Sequence, residues 1–162
     1  MNQYVAMKKV IVIGCPGSGK STFSKALHKI TCLPLFHLDM MYWNEDKTTV
    51  ERPLFLERLS KAMETDEWII DGNYASTMEM RMKECDTVIF LDYSVEVCLQ
   101  GIKGRKGKAR TDIPWIDTED DEEFIQYIKD FGSQSRPQVM SLLKEYSHKN
   151  IFIFFLHFES KI

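Results

Sequence analysis

The residues best suited to chemistry lie together near the start of the chain, in the stretch Gly14-Cys-Pro-Gly-Ser-Gly-Lys-Ser21. Its glycines permit positive φ values and close approach of the backbone, so that successive N–H groups can converge on an anion. The spacing G-x-x-x-x-G-K-[ST] is the Walker A pattern, in which such a loop and the following helix N-terminus hold a polyphosphate. A glycine-rich turn that only reverses the chain is the alternative. Because the pattern falls between an apolar run and a helix-like run, we predict that this phosphate loop (residues 14–21) binds a nucleotide.

The predicted cofactors are ATP and Mg²⁺, and the phosphate loop supplies most of their ligands. Lys20 is expected to bridge the β- and γ-phosphates and to act in catalysis. Ser21 is expected to offer its hydroxyl to Mg²⁺, and Thr22 to lie near the α-phosphate at the start of the helix. The full predicted set for the nucleotide is Gly14, Pro16, Gly17, Ser18, Gly19, Lys20, Ser21 and Thr22.

Asp71 and Asp92 each end an apolar run, and we predict different roles for them. Asp71, in the stretch WIIDGNY, is the expected carboxylate on the magnesium side, where it holds a metal-bound water or Ser21. A turn cap formed with the next two residues is the alternative for Asp71. Asp92 leads into a helix with Ser94 as its N-cap, and this favours a structural role.

A strongly charged segment follows, with five cations between Lys103 and Arg110 and an acidic stretch from Asp112 to Glu123. A solvated surface loop is the default reading of such a run. Its place after the fourth apolar run, and its glycines as hinge points, favour instead a lid segment (about residues 103–123) that folds over the polyphosphate. Arg105 and Arg110 are the predicted catalytic cations, because a guanidinium binds phosphate in a bidentate manner.

The elements that position these groups alternate between apolar runs and helical patterns. Apolar runs lie at 8–13, 33–38, 67–71, 87–92 and 151–156, and helical spacing follows the phosphate loop and the second run. Strands that are apolar on both faces and alternate with helices predict a doubly wound α/β fold with a parallel sheet. In such folds ligands bind beyond the carboxyl ends of the strands, where the phosphate loop, Asp39, Asp71 and Asp92 all fall. We therefore predict a single cleft.

Composition limits the remaining classes of function. The 162 residues fit one domain, and a formal charge of −3 gives no general reason to expect a nucleic-acid or membrane surface. No apolar segment approaches the length of a membrane span, and no signal peptide is recognisable. The four cysteines form neither a C-x-x-C pair nor a disulfide framework. We predict a cytoplasmic protein without membrane association, and the oligomeric state is left open.

Several segments together resemble one protein family: VIGCPGSGKSTFSKAL, FHLDMMYW, WIIDGNY, IFLDYS and GKARTDIPW. They are similar to the bacterial DNA topology modulation proteins of the FlaR-related type, whose fold is like that of adenylate and shikimate kinases. The resemblance implies a three-layer P-loop fold with a five-stranded parallel sheet in the order 2-3-1-4-5, and a lid between the fourth and fifth strands. It implies a kinase acting on a small-molecule or nucleotide acceptor, or alternatively a nucleotide-binding regulator that affects DNA topology, for which direct DNA contact is the weaker expectation.

Two departures from the resembling proteins matter. They usually carry an arginine where this chain has Gly101, which puts a full arginine set in doubt. They also continue past the last strand into a final helix, whereas this sequence stops at Ile162, so one face of that strand is expected to be less covered.

The resemblance also bears on the phosphoryl acceptor. Adenylate kinases follow the third strand with D-G-F-P-R, whose arginine helps to hold AMP, whereas this chain reads Asp71-Gly-Asn-Tyr-Ala75. Shikimate-type kinases place an acceptor-activating aspartate where this chain has Asp39, and this implies a hydroxyl compound or a non-standard nucleotide as acceptor. Asp39 could instead cap a turn, and Arg52, Arg58 or Arg81 could replace the missing arginine. Met40 to Trp43 line the acceptor pocket or cover the core.

Overall fold

The structure, a computed structural model, describes residues 6–117 and 121–157. Five parallel strands form one sheet in the order β2-β3-β1-β4-β5. The strands are β1 (Lys9–Gly14), β2 (Leu35–His37), β3 (Trp68–Asp71), β4 (Thr87–Tyr93) and β5 (Asn150–Leu156). The predicted fold class and strand order are confirmed.

Helices cover both faces of this sheet. They are α1 (Lys20–Thr31), α2 (Leu38–Tyr42), α3 (Arg52–Met63), α4 (Ala75–Glu84), α5 (Val95–Arg105), α6 (Glu122–Gln134) and α7 (Arg136–Glu145). Side-chain oxygens cap two of them, since Ser94 Oγ accepts from the backbone of α5 and Asp121 accepts from that of α6. Helix α1 has no side-chain cap. No capping side chain therefore occupies its first N–H groups, which can bind an external anion.

The alternation of side chains along the strands divides the core into two layers. Ile11 and Ile13 of β1 face the larger cluster, together with apolar side chains from α3, α4, α6 and α7. Val10 and Val12 face the smaller cluster, which α1 covers with Phe23 and Leu27. Strands β1, β3 and β4 are buried along almost their whole length. This two-sided burial explains why their sequences read as continuous apolar runs.

Strand β5 is the exposed edge of the sheet. Its side chains Phe152, Phe154 and Leu156 point toward the face that carries α1, and all three are exposed. Phe154 contacts the ring of Phe23 in α1 at a centroid distance of 5.9 Å. Within the described residues, α1 does not extend over the rest of this edge. None of the helices in residues 6–117 and 121–157 is both long and apolar enough to cross a bilayer.

Candidate active site

A cavity of about 600 Å³ opens beyond the carboxyl ends of β1, β2 and β3. It brings together most of the predicted site residues, namely Pro16, Gly17, Gly19, Lys20, Ser21, Thr22, Asp39, Asp71, Arg105 and Arg110. Gly14 and Ser18 of the loop do not line the cavity, since Gly14 ends β1 and Ser18 is buried. Trp43, one of the four residues predicted to line the acceptor pocket or cover the core, is also in the lining, and so are residues that the sequence patterns did not indicate, among them Lys25, Asn73, Tyr74 and Asp112.

The phosphate loop combines a strained glycine backbone with a buried cation. Gly17 and Gly19 adopt φ values of +85° and +87°, which are strained for residues with a side chain. Lys20 Nζ donates only to backbone carbonyls, at 2.9 Å from Gly14 O and 3.3 Å from Cys15 O. Burial lowers the pKa of Lys20, and the carboxylates of Asp39 and Asp71 oppose this shift. A buried cation in such a loop suits a polyphosphate.

Ser21 Oγ is buried and has no hydrogen-bond partner among the described residues, so its lone pairs are available to a metal ion. Asp71 lines the same cavity. In the described part of the chain, no group of three or more His, Cys, Asp and Glu side chains is placed to hold a metal. A Mg²⁺ ion fits this pair, because Mg²⁺ takes most of its ligands from water and nucleotide phosphates in such sites.

Asp71 also has a partner that the sequence did not reveal. His37 Nδ1 lies 2.7 Å from Asp71 Oδ2, and both side chains are almost completely buried. The two residues are paired in register at the carboxyl ends of β2 and β3. The His37 ring therefore orients the predicted metal-side carboxylate.

Asp92 lies outside this cavity. Its carboxylate accepts from Arg136 Nε at 2.9 Å and from Arg136 Nη2 at 2.7 Å. This bidentate pair joins the end of β4 to the start of α7, which is a structural role.

The segment after β3 (residues 72–74) is fixed by a buried arginine. Arg81 is completely buried and donates to the carbonyls of Gly72 at 2.9 Å, Tyr74 at 3.4 Å and Asn73. The Asn73 amide in turn forms two hydrogen bonds with Gly14, accepting from its N–H at 3.0 Å and donating to its C=O at 2.7 Å. Arg81 therefore holds the segment that bonds to the phosphate loop, and it does not line the cavity.

Asp39 lines the same cavity as the phosphate loop and is held by Tyr74. The Tyr74 hydroxyl donates to Asp39 Oδ1 at 2.6 Å. Burial raises the pKa of Asp39, while the Tyr74 hydrogen bond and the Lys20 cation act in the opposite direction. Trp43 lines the cavity beside this pair, whereas Tyr42 packs against the core.

The position of Gly101 explains why no arginine stands there. Helix α5 packs backbone to backbone against the phosphate loop, and a Cβ atom at Gly101 would lie 2.0 Å from Gly17 O. No side chain fits this contact. Arg105, one turn further along the helix, lines the cavity instead, and its buried Nε has no partner among the described residues.

We expect Gly101→Ala to destabilise the protein by about 1–3 kcal/mol, because the added methyl group must displace backbone atoms. The phosphate loop is the neighbour that must move, so affinity for MgATP is expected to fall as well. Gly104→Ala is the matched control, since a Cβ there meets nothing within 4 Å. Urea unfolding and calorimetric titration with MgATP measure both effects. Equal behaviour of the two variants would contradict the close contact.

The first part of the predicted lid segment is held by its own carboxylates. Arg110 donates to Asp112 through Nε at 2.9 Å and Nη2 at 2.5 Å, and its Nη1 lies 3.5 Å from Asp117 Oδ2. Trp115 donates to Asp117 at 2.6 Å and contacts Trp43 edge to face at 5.4 Å. Both predicted catalytic arginines, Arg105 and Arg110, thus line the cavity, and Arg110 is paired there with the Asp112 carboxylate. Residues 118–120 of the predicted lid lie outside the described residues.

Comparison with known proteins agrees with this architecture. No protein-family model matches the chain. It is 33% identical over 101 residues to a shikimate kinase of Rhodococcus jostii strain RHA1, a match that spans 54% of this chain and 60% of that enzyme.

Solved shikimate kinases have the same fold. The structure from Bacteroides thetaiotaomicron matches with a TM-score of 0.55 and 20% identity, over 93% of this chain and 87% of its own. The structure from Acinetobacter baumannii, in complex with shikimate, matches with a TM-score of 0.59 and 15% identity, over 96% and 86%. The fold is therefore that of a shikimate-kinase-like P-loop kinase, as the predicted likeness to these kinases implies.

Proposed function

We propose that the protein is a phosphotransferase that moves the γ-phosphoryl group of ATP, with Mg²⁺, to a hydroxyl group of a small molecule. One observation carries this proposal: the phosphate loop and the held carboxylate of Asp39 line the same cavity. The partial match to a shikimate kinase supports the same class of reaction.

The residues of the loop have distinct roles in this reaction. Ser21 and Asp71 would hold Mg²⁺. The ion would neutralise charge on the β- and γ-phosphates. The free N–H groups of the loop and of the first turn of α1 bind and orient the polyphosphate. Lys20 exchanges its two carbonyl partners for phosphate oxygens and stabilises the charge that develops during transfer. Asn73 keeps the first glycine of the loop in place.

Asp39 is the proposed general base for the acceptor hydroxyl. Its raised pKa reflects burial and brings the carboxylate closer to the pKa range in which a base is effective. Of the arginines that could replace the missing AMP ligand, Arg81 is committed to backbone carbonyls. Arg52 and Arg58 bond to Ser76 and to the Met41 carbonyl and do not line the cavity. This arrangement favours an acceptor hydroxyl over the phosphate of AMP.

The proposal is tested by measuring ADP release from MgATP with a panel that includes shikimate, deoxyadenosine, hydroxylated metabolites and AMP. We expect ADP release that depends on a hydroxyl compound and is accompanied by a phosphorylated product. Rapid phosphorylation of AMP would contradict the proposal that the acceptor is a hydroxyl group. A protein that binds no MgATP would contradict the whole proposal. The proposed location is the cytoplasm, where ATP is available and the four free thiols stay reduced.

Within this proposal, Arg105 stabilises the transferred group when the lid segment closes. We expect Arg105→Ala to lower kcat by about one to two orders of magnitude, with a much smaller change in the KM for ATP, because a closing cation acts mainly in the transition state. Lys103→Ala is the control, since it removes an equal charge from an exposed position on the same helix. Steady-state kinetics measure both. If Arg105→Ala and Lys103→Ala lose the same activity, the five cations between residues 103 and 110 form a solvated surface without a role in transfer.

The likeness to DNA topology modulation proteins gives a second candidate, a nucleotide-binding regulator that affects DNA topology. The exposed lysines Lys103 and Lys108 are the feature that favours it. Its test is titration of duplex DNA at increasing salt concentrations, where phosphate contacts produce a steep loss of affinity. An absence of duplex binding at low salt would argue against direct DNA contact.

A further inference from the structure

The backbone at Tyr74 is held in an unusual conformation. Its φ is +41°, in the left-handed region that residues with large side chains seldom adopt. The Arg81 guanidinium accounts for this conformation, because it bonds to the carbonyls of Tyr74 and of the two residues before it. The same segment is anchored to the phosphate loop through Asn73 and Gly14. The place of the Tyr74 ring is thus set by the loop that binds the nucleotide.

The ring is also fixed by its aromatic neighbours. Its centroid lies 5.1 Å from that of Tyr42 and 5.2 Å from that of Phe55. Its hydroxyl is directed to Asp39 Oδ1 at 2.6 Å. Within residues 6–117 and 121–157, the other carboxylate oxygen of Asp39 has no hydrogen-bond partner. One oxygen is therefore held, and the other is available to an acceptor in the cavity.

We propose that Tyr74 is the positioning residue of the acceptor site, which fixes the Asp39 carboxylate so that its second oxygen meets the acceptor hydroxyl. The inference rests on the proposed phosphotransferase function. Because Arg81 and Asn73 tie the same segment to Gly14, the base is set at a fixed place relative to the bound polyphosphate. Such preorganisation is what in-line attack on a phosphoryl group requires.

The charges around Asp39 show why a fixed donor is needed. Lys20 of α1 and Arg105 of α5 favour its ionised form, whereas Asp71 of β3 and Asp112 of the lid segment oppose it. Among the described residues, Tyr74 is the neutral donor to Asp39, so without it the charged groups alone would act on the carboxylate. Tyr74 supplies a hydrogen bond without adding charge to the site.

The test compares Tyr74→Phe with the wild-type protein and with Tyr42→Phe. Both variants lose one hydroxyl from the same aromatic cluster, but only Tyr74 bonds to Asp39. The Asp39 carboxyl is titrated by ¹³C NMR, and MgATP binding and thermal unfolding are measured in parallel. We expect Tyr74→Phe to raise the pKa of Asp39 by about one unit, because a donor to the charged form has been removed. We expect Tyr42→Phe to leave that pKa unchanged.

With the panel compound that the wild-type protein phosphorylates, the acid limb of kcat should move to higher pH in Tyr74→Phe while MgATP affinity stays the same. An unchanged Asp39 titration in Tyr74→Phe, or an equal shift in Tyr42→Phe, would overturn the positioning role. Failure of the wild-type protein to bind MgATP or to phosphorylate any compound would contradict the proposed function instead. The two failures are thus distinguishable.

Discussion

Lys20→Ala is expected to lower the rate of phosphoryl transfer by about two to three orders of magnitude, which is the usual effect of removing one preorganised charge from a transition state. Affinity for MgATP is expected to fall as well. Among the described residues Lys20 donates to two loop carbonyls and is buried, and the variant removes the cation that is proposed to bond to the phosphate oxygens instead. Single-turnover kinetics and calorimetric titration with MgATP measure the two losses.

Lys29→Ala provides the matched control for this prediction. Lys29 lies in the last turn of the same helix and is exposed, so its removal changes the net charge equally without touching the loop. It should retain wild-type kinetics. If a folded Lys20→Ala protein keeps its MgATP affinity and its turnover, the assignment of residues 14–21 to nucleotide binding is wrong.

Asp39→Asn is expected to reduce acceptor phosphorylation by about two to four orders of magnitude, the range associated with loss of a general base. The amide keeps the size of the carboxylate but cannot take a proton, so MgATP affinity should change little. In the wild-type protein a base must be deprotonated to act, so kcat should fall as the pH falls through the pKa of Asp39. Because burial raises that pKa, the acid limb is expected above the ordinary aspartate range.

The control for this variant is Asp66→Asn. Asp66 is exposed and precedes β3, so it lies at the opposite end of the sheet from the cavity. Measurements of kcat against pH for the wild type, Asp39→Asn and Asp66→Asn test whether Asp39 is the general base. Equal phosphorylation by Asp39→Asn and wild type would show that Asp39 is not the general base.

Local sequence patterns carried the prediction of the fold and of the phosphate loop. The apolar runs that ended up as β1, β3 and β4 are buried on both faces, and this makes their patterns continuous and easy to recognise. The loop is equally local, because its glycines and Lys20 act through the backbone of a few adjacent residues. Such features depend little on what the rest of the chain does.

The acceptor side depends on contacts that no local pattern records. Tyr74 meets Asp39 across 35 positions of the sequence, and Asn73 meets Gly14 across 59. Arg81 sits in a helix where an arginine is ordinarily solvated, yet it is completely buried. Its environment follows from the path of the loop before the helix, which only the tertiary structure fixes.

The contact between Gly17 and Gly101 also determines where the molecule can bend. With no side chain between the two backbones, the first part of α5 and the phosphate loop form one stiff support, and neither can tilt without the other. We therefore expect any movement of the predicted lid segment to begin beyond residue 101, where Gly104 and Gly107 have open space around them. Arg105 lies close to this point, so a rotation there would displace its guanidinium less than it displaces the residues that follow. On this basis Arg105 would stay beside the cavity whether the segment is open or closed.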